Sequence, residues 1–340
     1  MEKPVLRFHE NGRFRILSVS DFHAGERFNP KLTTGLDALL EHTKPDFVML
    51  VGDQCLPQTE PDAVRSYMCE IMEPVLRRHL PWGAVFGNHD REMGLDIAEE
   101  EAVYESIPGC LSERGPQTLH GIGNYCLPIY AHDSDRVAYH LWGLDSNRYI
   151  TDYPKLFGMA ENPEFILPTH NNENENGATP LFNQILWYWN KSAEAEKREG
   201  YKVPGVMFMH IPVPEYLEII RNPEECGAIG SKRATLGCSE ISSGLFLACL
   251  ERGDIRGMFF GHEHHCDIQG VYGGMTMACD AALGYNMSAH DDLRGGRVID
   301  LLEDGTMETH MVKLWDIMGK ACMRDPDYFE GGCRYYIRKL

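Results

Sequence analysis

Short apolar runs alternate with segments of helical spacing from residue 14 to about residue 260. Residues 14–20, Phe47–Val51 and residues 84–86 read as three buried strands. Between the first two, Leu32, Leu36, Leu39 and Leu40 recur at helical spacing, with Asn29 placed to cap the helix and Pro30 in its first turn. Val64, Tyr67, Met68, Ile71, Met72, Val75 and Leu76 predict a longer helix after Thr59, kinked at Pro74. Tyr125–Tyr130 and residues 137–144 read as paired strands, residues 169–177 as an exposed loop, and Thr179-Pro180 as the opening of a helix carrying Ile185, Leu186 and Trp189. After residue 268 the pattern is β-rich, with residues 298–302 and 307–314 flanking a turn at Asp304-Gly305. No stretch reads as a linker and no internal repeat is visible, so one large α/β unit is expected.

The strands share a grammar. The first three run into Asp21-Phe22-His23, Gly52-Asp53-Gln54 and Gly87-Asn88-His89-Asp90, while residues 206–209 lead into His210 and residues 258–260 into Gly261-His262-Glu263-His264. The carboxyl ends of strands are where open α/β sheets place their ligands. Asp21 and His23 lie two apart, and an extended backbone would turn both side chains to one side, where they hold one metal together. Adding Asp53, Asn88, His210, His262 and His264 gives carboxylates, imidazoles and an amide, a donor set suited to manganese, iron or zinc. Seven donors exceed one ion's need, so an aspartate bridging two ions is expected.

Composition narrows the chemistry further. Net charge is −19 over 340 residues, which repels phosphate backbones and acidic lipid and makes nucleic acid and membrane surfaces poor partners. An anionic substrate therefore needs a local positive centre, which bound metal supplies. The N-terminal segment lacks a signal-peptide core and no apolar run reaches membrane-spanning length. The 11 cysteines are scattered without a CxxC pair, and a reducing cytoplasm is the expected compartment.

Together, Asp21-x-His23, Gly52-Asp53, Gly87-Asn88-His89-Asp90, His210 and Gly261-His262-x-His264 resemble the five-block signature of calcineurin-like metallophosphoesterases. The text around them, including Gln184-x-x-Trp187-Tyr188, His210-Ile211-Pro212 and Gly295-Gly296-Arg297-Val298, is similar to a purple-acid-phosphatase-like subgroup that includes yeast cell-cycle-regulator phosphatases. The resemblance implies an α/β fold of two face-to-face β-sheets flanked by helices in four layers, a domain over residues 1–314 and a C-terminal extension over 315–340. It implies two divalent ions: Asp21, His23 and His264 hold the first, Asn88, His210 and His262 the second, and Asp53 bridges them. A hydroxide between the metals would attack phosphorus in line, His89 would protonate the leaving oxygen, and Asp90 would orient the His89 ring.

Two departures stand out. His23 appears in place of the tyrosine ligand that colours true purple acid phosphatases, so no tyrosinate absorption is expected, and Glu263 stands where the subgroup often has Asp. The expected activity is hydrolysis of a phosphomonoester, on a small phosphorylated molecule or a phosphoprotein. Its rivals are a phosphodiesterase acting on cyclic nucleotides, glycerophosphodiesters or nucleic acid, and a non-catalytic scaffold. Asp145 reads as a turn cap or a support for the site, Arg91 as a solvated side chain or phosphate contact, and Tyr285 as packing or a substrate contact. His265 reads as a supporting or surface residue, and the other nine histidines match no block.

Overall fold

The computed structural model describes residues 3–159 and 177–324. The predicted loop at 169–177 lies outside the described residues except for Gly177, as does most of the 315–340 extension. Twelve strands are described: β1 (Leu6–Arg7), β2 (Arg13–Val19), β3 (Phe47–Val51), β4 (Trp82–Val85), β5 (Tyr125–Tyr130), β6 (Val137–Gly143), β7 (Gly205–Met209), β8 (Ile255–Phe260), β9 (Gln269–Tyr272), β10 (Met275–Cys279), β11 (Gly295–Leu302) and β12 (Met307–Lys313). They form two mixed sheets, a seven-stranded one in the order β1-β5-β6-β7-β8-β10-β9 and a five-stranded one in the order β12-β11-β2-β3-β4.

Strand parity sorts the core into layers. Ile16, Phe47, Met49, Val51, Val85, Phe208, Phe259 and Ile299 point between the sheets and pack as one cluster. Their sequence neighbours Leu17, Val48, Leu50, Ala84 and Val298 face outward against the helices Pro30–Thr43 and Pro61–Ile71. On the opposite outer face, Trp142, Met207, Met209 and Phe260 pack with Ile185, Leu245 and Cys249 from the helices Phe182–Glu199 and Leu245–Arg252. The result is helices, sheet, sheet, helices. A strand covered on both faces must be apolar throughout, which is why all five residues of β3 are buried.

The local signals behave largely as their chemistry dictates. Asn29 accepts a hydrogen bond from the Lys31 N–H at 2.9 Å and caps the helix that opens at Pro30. Pro74 does more than kink its helix: the chain breaks into Pro61–Ile71 and Glu73–Leu76, since Pro74 has no N–H to continue the ladder. The helix expected to open at Thr179-Pro180 starts instead at Phe182, where Gln184 accepts from the Leu181 N–H at 2.7 Å. Its buried face carries Gln184, Ile185 and Tyr188, leaving Leu186 exposed rather than in the apolar stripe. Past β12, the helix Leu314–Met318 returns to the core, with Leu314 and Cys322 packed in the cluster under Pro30–Thr43.

One buried ion pair bolts the two sheets together near the carboxyl ends of β2 and β10. Arg297 of β11 sits on the inner face in line with Ile299 and Leu301, and its Nε donates to Asp280 Oδ1 at 2.8 Å just past β10. Its remaining donors reach Gln269 Oε1 and the carbonyls of Asp267 and Cys279, while Ser18 of β2 donates to the other Asp280 oxygen. Replacing Arg297 with Ala leaves the Asp280 carboxylate buried without its counter-charge and is expected to cost about 3–5 kcal/mol in chemical unfolding. A loss below about 1 kcal/mol would show that the sheets are held by apolar packing alone.

Candidate dimetal centre

The loops after β2 and β3 extend the parallel pairing beyond the strands. The N–H groups of Asp21, His23, Ala24 and Gly25 donate in turn to the carbonyls of Gly52, Asp53, Gln54 and Cys55 at 2.9–3.0 Å. On the other side, Leu283 and Gly284 donate to the carbonyls of Ser20 and Asp21. The backbone is left-handed at Asp21 (φ 56°), His23 (φ 42°), Asp53 (φ 56°), Cys55 (φ 57°) and His262 (φ 69°). Such positions carry strain that only surrounding structure can hold. The extended backbone expected at Asp21-x-His23 is therefore corrected: β2 ends at Val19, and left-handed turns bring the two side chains together. Glycine is required where the loops touch, because a Cβ on Gly52 would collide with the His210 ring and one on Gly87 with the Asp53 carboxylate.

Two donor groups converge at this edge. Asp21, His23, Asp53 and His264 offer ligand atoms all within 4.8 Å of one another, and Asp53, His210 and His262 form a second such group. Asp53 is common to both. His264 Nε2 lies 3.1 Å from Asp21 Oδ1, and His23 Nε2 and His210 Nε2 lie 3.3 and 3.2 Å from Asp53 Oδ2. The free edges of the rings are set from behind. His210 Nδ1 donates to the Val51 carbonyl at 2.7 Å, His264 Nδ1 to the Ser288 carbonyl at 3.1 Å, and His23 Nδ1 meets Cys55 Sγ at 3.4 Å. With Nδ1 held by an acceptor, Nε2 is the atom presented to a metal.

The remaining oxygens of the carboxylates are satisfied, which singles out those that are not. Asp21 Oδ2 accepts from the Ser20 hydroxyl at 2.6 Å and the His262 N–H at 3.0 Å, while Asp53 Oδ1 accepts from the His89 N–H at 2.9 Å. Asp21 Oδ1, Asp53 Oδ2, Asn88 Oδ1, His23 Nε2 and His210 Nε2 are buried with no hydrogen-bond partner. Buried orphans of this kind are costly unless a cation meets them. The donor set thus fits two divalent ions. The electrostatics agree: burial lowers the His210 pKa, but Asp53 and Asp21 outweigh it and lift it to about 9. Burial likewise opposes the Asp53 carboxylate, yet His210 and His23 hold it well below the usual range. His262 moves the other way, down to about 3, through burial and then the neighbouring His210. The centre attracts positive charge.

Asp90 is not where its expected role needs it. Its carboxylate turns away from the His89 ring and accepts from the N–H groups of Asp53, Cys55 and Gly87 at 2.7–2.9 Å, fastening the bridging loop. The ring of His89 is held instead by Glu92, whose Oε2 lies 2.6 Å from Nδ1. Tyr149 continues the chain, donating to Glu92 Oε1 at 2.8 Å and accepting from Asn88 Nδ2 at 3.0 Å. Neither Glu92 nor Tyr149 belongs to a signature block, although the i to i+3 spacing of His89 and Glu92 was a readable signal.

Other candidates resolve clearly. Arg91 pairs with Asp145, which also accepts from the Ile122 and Asn147 N–H groups, so both residues brace the loops. Gln184 is buried and ties Asn124, Asp145 and Leu181 together, whereas Trp187 packs edge-on to Trp142. Tyr285 lies under the Arg294 guanidinium and donates to the Cys322 carbonyl, a packing role. His265 stacks edge-on against His290 beside Ser288. Glu263 accepts from the Gly237 N–H, and burial pushes its carboxyl up to about 8. A cleft of about 240 Å³ opens over the centre between His23, His89, His262, His264 and Thr235.

Residues 14–266 match the family model described as calcineurin-like phosphoesterase. The chain belongs to that family. It is 27% identical over 308 residues to a protein named probable inactive purple acid phosphatase 14 from Arabidopsis thaliana, a match covering 83% of this chain and 73% of the relative. Over 62% of its length it is 25% identical to phosphatase DCR2 of Saccharomyces cerevisiae, covering 36% of that protein. Among solved structures, a dimetal phosphatase from Danio rerio superposes with a TM-score of 0.50 at 10% identity, covering 88% of this chain and 98% of the other. The family model ends just past the last ligand block, so the matched region spans all seven donors.

Asp53→Asn removes the shared charge and is expected to empty both metal positions, read by elemental analysis of protein purified without chelator, with activity reduced roughly 100-fold or more. Two ions retained per chain in that variant would refute the bridge. Asp90→Asn is expected to weaken metal binding by roughly 10- to 100-fold through the loosened Asp53 loop. Unchanged metal affinity would show that the three N–H contacts do not set the bridge.

Proposed function

We propose that the chain is a dimetal phosphomonoesterase acting on a phosphorylated small molecule or protein in the cytoplasm. The observation that carries this reading is the sharing of one carboxylate, Asp53, by two groups of donors beneath an open cleft lined by His89. The donors suit manganese, iron or zinc. Two such ions lower the pKa of a water and neutralise phosphoryl oxygens, which is what hydrolysis of a phosphate ester needs.

The chain's own residues do the rest. Asp21, His23 and His264 would hold one ion, and Asn88, His210 and His262 the other. His89, its Nδ1 held by Glu92 at 2.6 Å, lines the cleft and delivers a proton to the leaving oxygen. Glu92 fixes the ring. Tyr149 holds Glu92 and Asn88 at once, so the acid and one metal ligand share a single rigid support. Arabidopsis relatives carry names that include "probable inactive", and that label raises the scaffold reading for this chain. Against it stands the complete donor set, five of whose seven members bury an atom that nothing else satisfies. Maintaining such a set without metal would be a standing cost to folding.

His89→Ala is expected to keep both metals while kcat falls roughly 10²- to 10⁴-fold for alkyl phosphates and far less for nitrophenyl phosphate, whose leaving group needs no proton. Glu92→Gln should give a smaller loss with the same dependence on leaving group. Equal losses for good and poor leaving groups, or lost metal in His89→Ala, would assign His89 to binding and move the acid elsewhere.

A further inference from the structure

A second cleft, of about 430 Å³, opens on the other side of Tyr149. It lies next to the metal centre: its lining includes Arg91, of the turn His89–Arg91 that carries the proton donor, and Tyr149, whose hydroxyl touches Asn88 and Glu92.

Three guanidiniums, of Arg91, Arg114 and Arg148, line the cleft together with the carboxylates of Asp96 and Asp152. Arg91 pairs with Asp145 and Arg148 with Asp152 at 3.0 Å, and the Asp96 carboxylate caps its helix by accepting from the Ala98 N–H. Arg114 differs: the residue is exposed, its side chain has no ion-pair partner among the described residues, and Glu105 accepts from its backbone N–H. Between these groups the wall is apolar, formed by Leu119 and by the Tyr149 ring over which Arg148 sits at 5.1 Å. An unpaired guanidinium beside an aromatic wall suits a carboxylate or phosphate carried on an organic framework, because the planar fork pairs with either anion in two-point fashion.

We propose that this cleft is the leaving-group subsite and that Arg114 reads a second negative charge on it, making the substrate class small phosphomonoesters that carry a further carboxylate or phosphate. The proposal rests on the phosphoesterase reading above. It assigns Arg114 a role in specificity and none in the bond-breaking step.

The test compares phenyl phosphate with 4-carboxyphenyl phosphate, and with 1,4-phenylene bisphosphate as the phosphate-bearing arm, in the metal-loaded wild type and in Arg114→Gln and Arg114→Glu. The wild type is expected to favour one or both doubly anionic esters. Arg114→Gln should lose roughly tenfold in kcat/KM on those esters with phenyl phosphate unchanged, and Arg114→Glu should lose more. In parallel, calorimetry compares binding of benzylphosphonate and 4-carboxybenzylphosphonate, which needs no turnover. Hydrolysis of phenyl phosphate with the same substrate ratio in all three proteins would overturn the subsite and leave the phosphoesterase reading intact. No hydrolysis of any ester would overturn the activity, and the phosphonate comparison would then decide the subsite by itself: an Arg114-dependent preference supports it, and none refutes it.

Discussion

Two carboxylates, Asp21 and Asp53, are wholly buried within reach of four imidazoles, and each keeps one oxygen without a hydrogen bond. That concentration of acceptors is the constraint around which the rest of the edge is built. His210 shows it most sharply: Nδ1 is committed to the Val51 carbonyl, so Nε2 can meet Asp53 Oδ2 at 3.2 Å only through a cation, whether proton or metal. The upward shift of His210 and the downward shift of Asp53 are the proton's version of the same requirement. A divalent ion meets it with more charge and more directions of coordination.

Holding such a cluster in place costs backbone freedom, and the fold supplies the restraint from several sides. The left-handed residues Asp21, His23, Asp53 and Cys55 lie on loops that pair with each other through successive hydrogen bonds. Asp90 adds two further bonds to the loop after β3, from Asp53 and Cys55, and a third ties it to Gly87 in its own loop. Farther back, Arg297 and Asp280 join the sheet bearing Asp21 and Asp53 to the sheet bearing His210 and His262. The two donor groups draw on both sheets, so a slip of one sheet against the other would separate Asp53 from His210. A buried ion pair is weak evidence for stability in general, but it suits a register that must not drift.

The sequence made the metal donors legible because each block couples an apolar strand to a polar end, and five such ends at parallel strands must lie on one edge. The unbroken apolar run Phe47–Val51 likewise announced a strand covered on both faces. What it could not show was direction within the loops. Asp21 and His23 were two residues apart, and an extended backbone was the simple reading of that spacing, whereas the strand had already ended and left-handed turns set the side chains. Asp90 adjoined His89 in sequence and was read as its partner, but a residue at the start of a tight turn points its carboxylate back at free N–H groups. Glu92, one turn further along, faces the ring instead. Tyr149 could be found only in three dimensions, since 61 residues separate it from Asn88. The helix at Phe182 was displaced because Gln184, a polar residue, fills a buried position that hydrophobic periodicity does not mark.

Metal retention and substrate choice fall to different parts of this edge. The strand-end loops that carry the donors are tied to both sheets, and most of their polar groups are used up in holding one another. Arg114, His120 and Tyr149 come from connections outside those blocks, and Tyr149 is the member of this group that touches the donor Asn88 among the described residues. Changes in these connections can alter what fits beside His89 while leaving Asp21, Asp53 and their imidazoles undisturbed. A family can therefore keep one hydrolytic centre while its members diverge in the organic group they accept, and a relative can lose turnover through a single donor with the fold preserved. For this chain both halves are present together: a donor set that demands cations, and near it a cleft lined by a guanidinium with no ion-pair partner among the described residues.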